Sequence, residues 1–292
     1  MTLDQLTAEL DVYFRVADVE NDDWSGTFEL LYPDPYWRDF AEPGYEGRWN
    51  GLMVRGGDAV KQVRTCVFPS DRIVAGLAPE TLLFSEHPIA FEDDVVGFAP
   101  LARESFEQLL ETRSSFYHVH APLDQHPDIS PSRLVALALG LTGLEEYFPI
   151  ADGLSGGAAV IGDSKADLDE LSALLERTLG PEVPVEVVSR PREQAGRVAV
   201  VAGGGADRAI LEASLQRGCT TYVTGNAATR CRLDFVQNEV RAFRELADTH
   251  GVAVLDGTHY GTEKPPQLAM VSWFERLGVR AGFSPGRPER LT

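Results

Sequence analysis

The sequence predicts an α/β fold arranged as two lobes. Three observations predict it. Short runs rich in β-branched and apolar residues recur, each ends in a turn carrying glycine or proline, and each turn leads into apolar residues at helical spacing. The rhythm occurs in both halves of a 292-residue chain, which is long for one domain and comfortable for two. At that size the core needs no disulfide or metal staple. The join falls in GLEEYFPIADGLSGG, giving an N-terminal lobe over residues 1–145 and a C-terminal lobe over 146–292.

The chain opens on MTLDQLTAELDVYF, where Leu3, Leu6, Leu10 and Phe14 define an amphipathic helix. That stretch lacks the basic start and continuous apolar run of a secretory signal. VRTCVF (63–68), TLLFS (81–85) and FYHVH (116–120) read as strands, with helices around SFEQLLE and SRLVALALG. In the second lobe GGAAVIGD reads as a strand, and Ser164 as the cap of a helix carrying Leu168, Leu171, Leu175 and Leu179. Asp167 then stands at the capping-box position. RVAVVAGGG is the next strand, followed by a helix from about Asp207 to Arg217 that Gly218 closes. TTYVTG and VAVLDG are strands on either side of a helix through Val240, Phe243 and Ala247, which Gly251 closes. A final helix opens at Pro265 and Pro266 and carries Leu268, Met270, Val271 and Phe274.

A formal charge of −19 disfavours association with a phosphate backbone or an anionic lipid surface, which both require basic partners. No apolar run is long enough to span a bilayer. The expected partner is therefore a small molecule, with neither nucleic acid nor membrane. Cys66, Cys219 and Cys231 are odd in number and at no ligand spacing. Free buried thiols of this kind point to the cytoplasm.

Chemistry concentrates at the histidines, of which the chain has only six. His87 follows TLLFS, His118 and His120 close FYHVH, His126 lies in APLDQHP, and His259 follows VAVLDG. These five fall at or beyond the carboxyl ends of predicted strands, where open α/β sheets place ligand sites. His250 ends a helix instead, where a cation offsets the helix dipole. His120 and Asp124 in HAPLD flank Pro122, so the spacing predicts a constrained loop rather than a regular helix. His259 and Glu263 in HYGTE share a helical face if the helix starts that early. With Glu86 and His87, these residues would make a nitrogen and oxygen shell without sulfur, suited to zinc, iron or manganese. Each also fits an ordinary role: His87 bonding a loop carbonyl before Pro88, His120 as an edge residue, Glu263 as a helix-start charge.

In order along the chain, these motifs resemble the NIF-three-like family, whose members are often called GTP cyclohydrolase type 2 homologs. RWNGLMV (48–54) is similar to the family's Trp-Asp-Asn-x-Gly-Leu, SEHP (85–88) to its Thr-His-His-Pro, and HAPLD to its His-Thr-Asn-Leu-Asp. The stretch from Val198 to Asn226 resembles its glycine loop, helix and Thr-Gly-Asp strand end, and HYGTE resembles its Gly-His-Tyr-x-Thr-Glu. The resemblance implies two related α/β lobes with mixed sheets flanked by helices, a dinuclear metal centre at their junction and a ring-shaped homohexamer. It implies two divalent ions, Zn, Fe or Mn, held by His87, His120, Asp124, His259 and Glu263, with Glu263 as the bridge. The activity it implies is that of a metal-dependent hydrolase acting on a guanine nucleotide or related heterocycle, the alternative being a non-enzymatic metal-binding scaffold or regulatory protein.

The chain departs from the pattern at Glu86, where the family's first histidine stands, at Asn226 in place of aspartate, and in AATRCR, which lacks a histidine. Glu86 is then a substituted ligand or a base, and His118 or His126 a proton shuttle. GGGADRA invites a phosphate-binding reading, but lacks GxGxxG spacing and carries Asp207 where a phosphate would sit, so a tight strand-to-helix turn is expected. Cys219 sits in an apolar strand and is expected to pack rather than attack. Trp49, Tyr260 and Trp273 are either pocket-lining or core and interface aromatics.

Overall fold

The computed structural model describes residues 1–20, 22–93, 96–229, 231 and 234–286. Its elements run α1 (Leu3–Tyr13), α2 (Ser25–Leu31), β1 (Gly51–Val54), β2 (Gln62–Cys66), α3 (Asp71–Ala75) and β3 (Thr81–Ser85). They continue β4 (Ala90–Asp93), β5 (Gly97–Ala99), α4 (Arg103–Glu111), β6 (Ser115–His118), α5 (Ala121–Asp124), α6 (Pro131–Ala138), β7 (Thr142–Tyr147) and β8 (Ala159–Asp163). Then come α7 (Leu168–Leu179), β9 (Glu186–Ser189), β10 (Arg197–Val201), α8 (Arg208–Gln216), β11 (Thr221–Thr224), α9 (Asp234–His250), β12 (Ala253–Asp256), α10 (His259–Arg276) and β13 (Arg280–Phe283). The predicted α/β class holds. None of the helices among the described residues is long and apolar enough to cross a membrane.

The chain forms two compact units. The first comprises 1–123, 151–154 and 267–292, and the second 124–150 and 155–266. This differs from a single cut after residue 145, because the end of the chain returns to the first unit: β13 pairs in parallel with β2. The first unit's sheet has the order β1-β6-β3-β2-β13, parallel throughout except for the antiparallel pairing of β1 with β6. A separate hairpin joins β4 and β5. The strands TLLFS and SFYH are buried along their whole length, as parallel strands covered on both faces must be. On one side Leu3, Leu6 and Leu10 of α1 bury the amphipathic stripe read from the sequence, and Thr2 and Gln5 close a capping box at its start. A large aromatic cluster, including Trp24, Phe28, Trp37, Tyr45 and Trp49, packs in the same unit.

The second unit's sheet has the order β7-β8-β10-β11-β12-β9, with the central trio β10, β11 and β12 parallel and the flanking pairings antiparallel. Helix α7 carries Leu168, Leu171, Leu175 and Leu179, but its N-cap is Asp167 rather than Ser164. The Asp167 carboxylate accepts from Glu170 N while the Glu170 carboxylate accepts from Asp167 N. Ser164 instead accepts from Ala166 N, forming the turn that leads into the helix. Asp207 caps α8 by accepting from Ile210 N, and Gly218, at φ +80°, follows it.

Candidate metal centre

In the first unit, the strands β3 and β6 run parallel and side by side, so the segments leaving their carboxyl ends emerge together. β3 stops at Ser85, which frees Glu86 and His87 from the alternation of a strand. The Ser85 hydroxyl donates to the His87 carbonyl, and His87 N donates to Val67 O at 3.2 Å, which fixes the turn. His87 is buried, stacked on Phe68 with ring centroids 4.3 Å apart. His120 follows β6, and its ring centroid lies 5.4 Å from that of His87. Two imidazoles with different sequence origins are thus neighbours in one unit. The buried Glu86 accepts through Oε2 from Gln267 Nε2 at 3.3 Å.

His118 is the last residue of β6 and wholly buried, hydrogen-bonded through Nε2 to the Tyr45 hydroxyl. Burial, aided by the neighbouring His120 and His87 and opposed by Asp22, pushes its pKa down to about 3. A shuttle that titrates near neutrality does not fit such a ring. His118 instead braces the wall of the strand end. His126 accepts through Nδ1 from Asp128 N at 3.2 Å and Ile129 N at 3.4 Å, and so shapes its own loop. Asp124 ends α5, a single helical turn where a loop was expected. Pro122 is tolerated there because the first turn's N–H groups have no intrahelical acceptor in any case.

The second unit brings the other sequence pair together. His259 opens α10, with its Nε2 at 3.0 Å from Glu263 Oε1. The helix starts six residues before the expected Pro265. Thr258 accounts for this, since its hydroxyl accepts from Gly261 N at 3.0 Å and supplies an N-cap. Pro265 and Pro266 therefore lie inside the helix. Each lacks the N–H that a residue at its position would give to the carbonyl four residues earlier.

The glycine loop after β10 closes over this pair. A Cβ on Gly203 would lie 1.8 Å from Glu263 Oε1 and 3.2 Å from His259 Nε2, so only a glycine lets the backbone come this near. Gly203 N donates to Thr262 Oγ1 at 2.8 Å, and Ala206 N donates to Asn226 Oδ1 at 2.7 Å. Two of the loop amides are thus used within the protein, and Asp207 takes Ile210 N and sets a negative charge at the start of α8, which disfavours a phosphate there. The expected tight turn is what forms, and it lines the His259–Glu263 pair. Of the segment after Asn226, Arg230 and Arg232 lie outside the described residues.

The donor chemistry fits a divalent ion held by nitrogen and oxygen. Sulfur is absent from both constellations: burial pushes the Cys219 thiol up to about 12 and raises Cys66 further, and a thiolate is what a metal or an electrophile would need. Trp49 packs on Phe28 at 5.0 Å and Trp37 at 5.8 Å and is a core aromatic, whereas Trp273 is half-buried and packs on the half-buried Tyr13 at 5.1 Å. Asp22 escaped the sequence reading. It touches His120 across 98 positions, and neither aspartate of NDDW carries a periodic or spacing signal.

The sequence profile of Duf34/NIF3 (NGG1p interacting factor 3) matches residues 38–279. The chain is 26% identical over 246 residues to the GTP cyclohydrolase 1 type 2 homolog of Deinococcus radiodurans, covering 82% of this chain and 81% of the relative. It is 27% identical over 243 residues to the protein of the same name from Pyrococcus horikoshii, covering 80% and 88%. Among solved structures, reduced HcgD from Methanocaldococcus jannaschii is similar with a TM-score of 0.67 at 17% identity, covering 98% of each chain. TTHA1606 from Thermus thermophilus is similar with a TM-score of 0.62 at 21% identity, covering 100% of this chain and 99% of that one. These structural likenesses speak for the fold.

Proposed function

Because the chain belongs to the Duf34/NIF3 family, whose profile spans most of its length, we propose that it is a dinuclear metal-dependent hydrolase acting on a guanine nucleotide or a related heterocycle. His87 of the first unit and the His259–Glu263 pair of the second are the candidate metal ligands at the heart of the proposal. His120 and Asp124 complete the donor set, and the ions are zinc, iron or manganese. The observation that carries the reading is the His259–Glu263 pair, its donor atoms 3.0 Å apart at the start of α10. A bound divalent ion would supply a nucleophile near neutral pH by lowering the pKa of its water from about 16 to about 7. The chain's own part is to hold neutral imidazole and ionised carboxylate in fixed positions, with Glu86 as a further ligand or a base. The names of the curated relatives support a nucleotide substrate. A homohexamer in the cytoplasm completes the proposal.

The test begins with metal content per chain in protein purified without added ions. Turnover of GTP, other nucleotides and phosphoesters follows, comparing wild type with His259→Ala. Metal-dependent turnover lost in the variant is expected. Glu86, standing where the family carries histidine, favours a second reading, a non-enzymatic metal-binding scaffold or regulatory protein. Full metal occupancy without turnover on any of these substrates would select it.

A further inference from the structure

We infer that Asp22 is a positioning residue for His120, fixing the imidazole so that Nε2 is its ligand atom; the inference rests on the metal-dependent reading above. Asp22 Oδ1 lies 3.2 Å from His120 Nδ1. An ionised carboxylate only accepts hydrogen bonds, so this contact places the proton on Nδ1 and the lone pair on Nε2. Neutral imidazole oriented by a carboxylate behind it is the form in which histidine binds metals best.

Asp22 is itself held from two directions. Its Oδ2 accepts from Asn50 Nδ2 at 2.8 Å and from Ala121 N at 3.1 Å. Asn50 in turn accepts through Oδ1 from His120 N at 2.8 Å. One amide therefore grips both the carboxylate and the backbone of the histidine it orients, joining three segments distant in sequence. Trp24 also packs against the ring in a T-shaped contact, with its ring centroid 4.8 Å from that of His120 at an interplanar angle of 85°. Asp22 and Asn50 are mostly enclosed, and the Asp22 side chain is 8% exposed, so water competes little for these bonds. A mere loop latch would need only the Ala121 and Asn50 contacts. The third contact, to the imidazole, is what the positioning role adds.

Asp22→Asn separates the two roles. Two donors converge on Oδ2, so the asparagine carbonyl must take that place, and its NH2 then faces His120 Nδ1. The ring responds by moving its proton to Nε2, which removes the lone pair offered for coordination. The experiment is nitrogen NMR of the histidine rings in metal-free protein at about pH 8, with His120 assigned from the loss of its signals in His120→Gln. Zinc titration of the same samples by calorimetry follows. Wild type is expected to show the proton on Nδ1 of His120, and Asp22→Asn to show it on Nε2 with zinc bound about 10–100-fold more weakly. A proton on Nε2 in metal-free wild type overturns the inference without any variant. An unchanged tautomer, or zinc affinity within about twofold of wild type, in folded Asp22→Asn also overturns it. If wild type shows the Nδ1 proton but takes up no zinc, manganese or iron, the metal reading fails and the ligand role inferred for Asp22 falls with it. Metal uptake by wild type that survives Asp22→Asn sinks only the role of Asp22.

Discussion

The glycine at position 203 makes a prediction that no larger residue could share. Its φ of +63° already disfavours a side chain, and a Cβ would collide with the Glu263 carboxylate. Gly203→Ala should lose more than about 1 kcal/mol in stability and bind divalent metal at least about tenfold more weakly. Calorimetric titration beside a denaturation curve checks both. At the end of β12, Asp256 accepts from Thr258 N and Ala228 N, each at 2.8 Å, yet burial raises its pKa to about 6. Because the folded value exceeds the unfolded 3.8, the folded state binds the extra proton between the two, and stability falls as pH rises through that window. The loss levels off above about pH 6 at about 3 kcal/mol. Asp256→Asn should lose this contribution, so the stability difference between wild type and variant should carry the slope, measured by urea denaturation from about pH 4 to about pH 8. The candidate histidines stood out in the sequence because they are rare and follow strands. Asp22 did not, since its meaning comes from tertiary contact alone.

Elements follow their caps more than their most conspicuous residues. Pro265 and Pro266 look like a helix start, yet α10 begins at His259 because Thr258 supplies a hydroxyl at the right place. The cost is a threonine at φ +61°. Thr258→Ala should lose about 1 kcal/mol by removing the cap, while Thr258→Asn, which both caps and tolerates the left-handed region, should match or exceed wild type. Denaturation midpoints of the three proteins decide it, and an asparagine variant weaker than the alanine one would refute the capping argument. The same competition moved the start of α7 from Ser164 to Asp167, where a glutamate three residues on completes a reciprocal pair. Hydrophobic spacing showed which residues are helical, and the short polar contacts that set the first turn lay below its resolution. β1, β4, β5, β7, β9 and β13 escaped notice as well.

At the level of the whole chain, two α/β lobes were visible in the repeated strand and helix rhythm, but their composition was not, because strand pairing between distant segments leaves no local mark. The first unit draws on residues 1–123 and again on 267–292. Within it, Phe274 of α10 packs against Phe84 at a centroid distance of 5.6 Å, and β13 covers the edge of β2. A fragment of residues 1–145 should therefore lack a cooperative unfolding transition and aggregate through that bare edge. A sharp calorimetric melt of the fragment would contradict this. Synthesis meets the same constraint in time. The ribosome releases the first sheet's opening strands long before its closing one, whereas every strand of the second sheet, from residue 142 to residue 256, emerges in one uninterrupted interval. The later-born unit is thus the earlier to finish, and the nascent first sheet waits, incomplete and in need of shelter, until β13 leaves the exit tunnel.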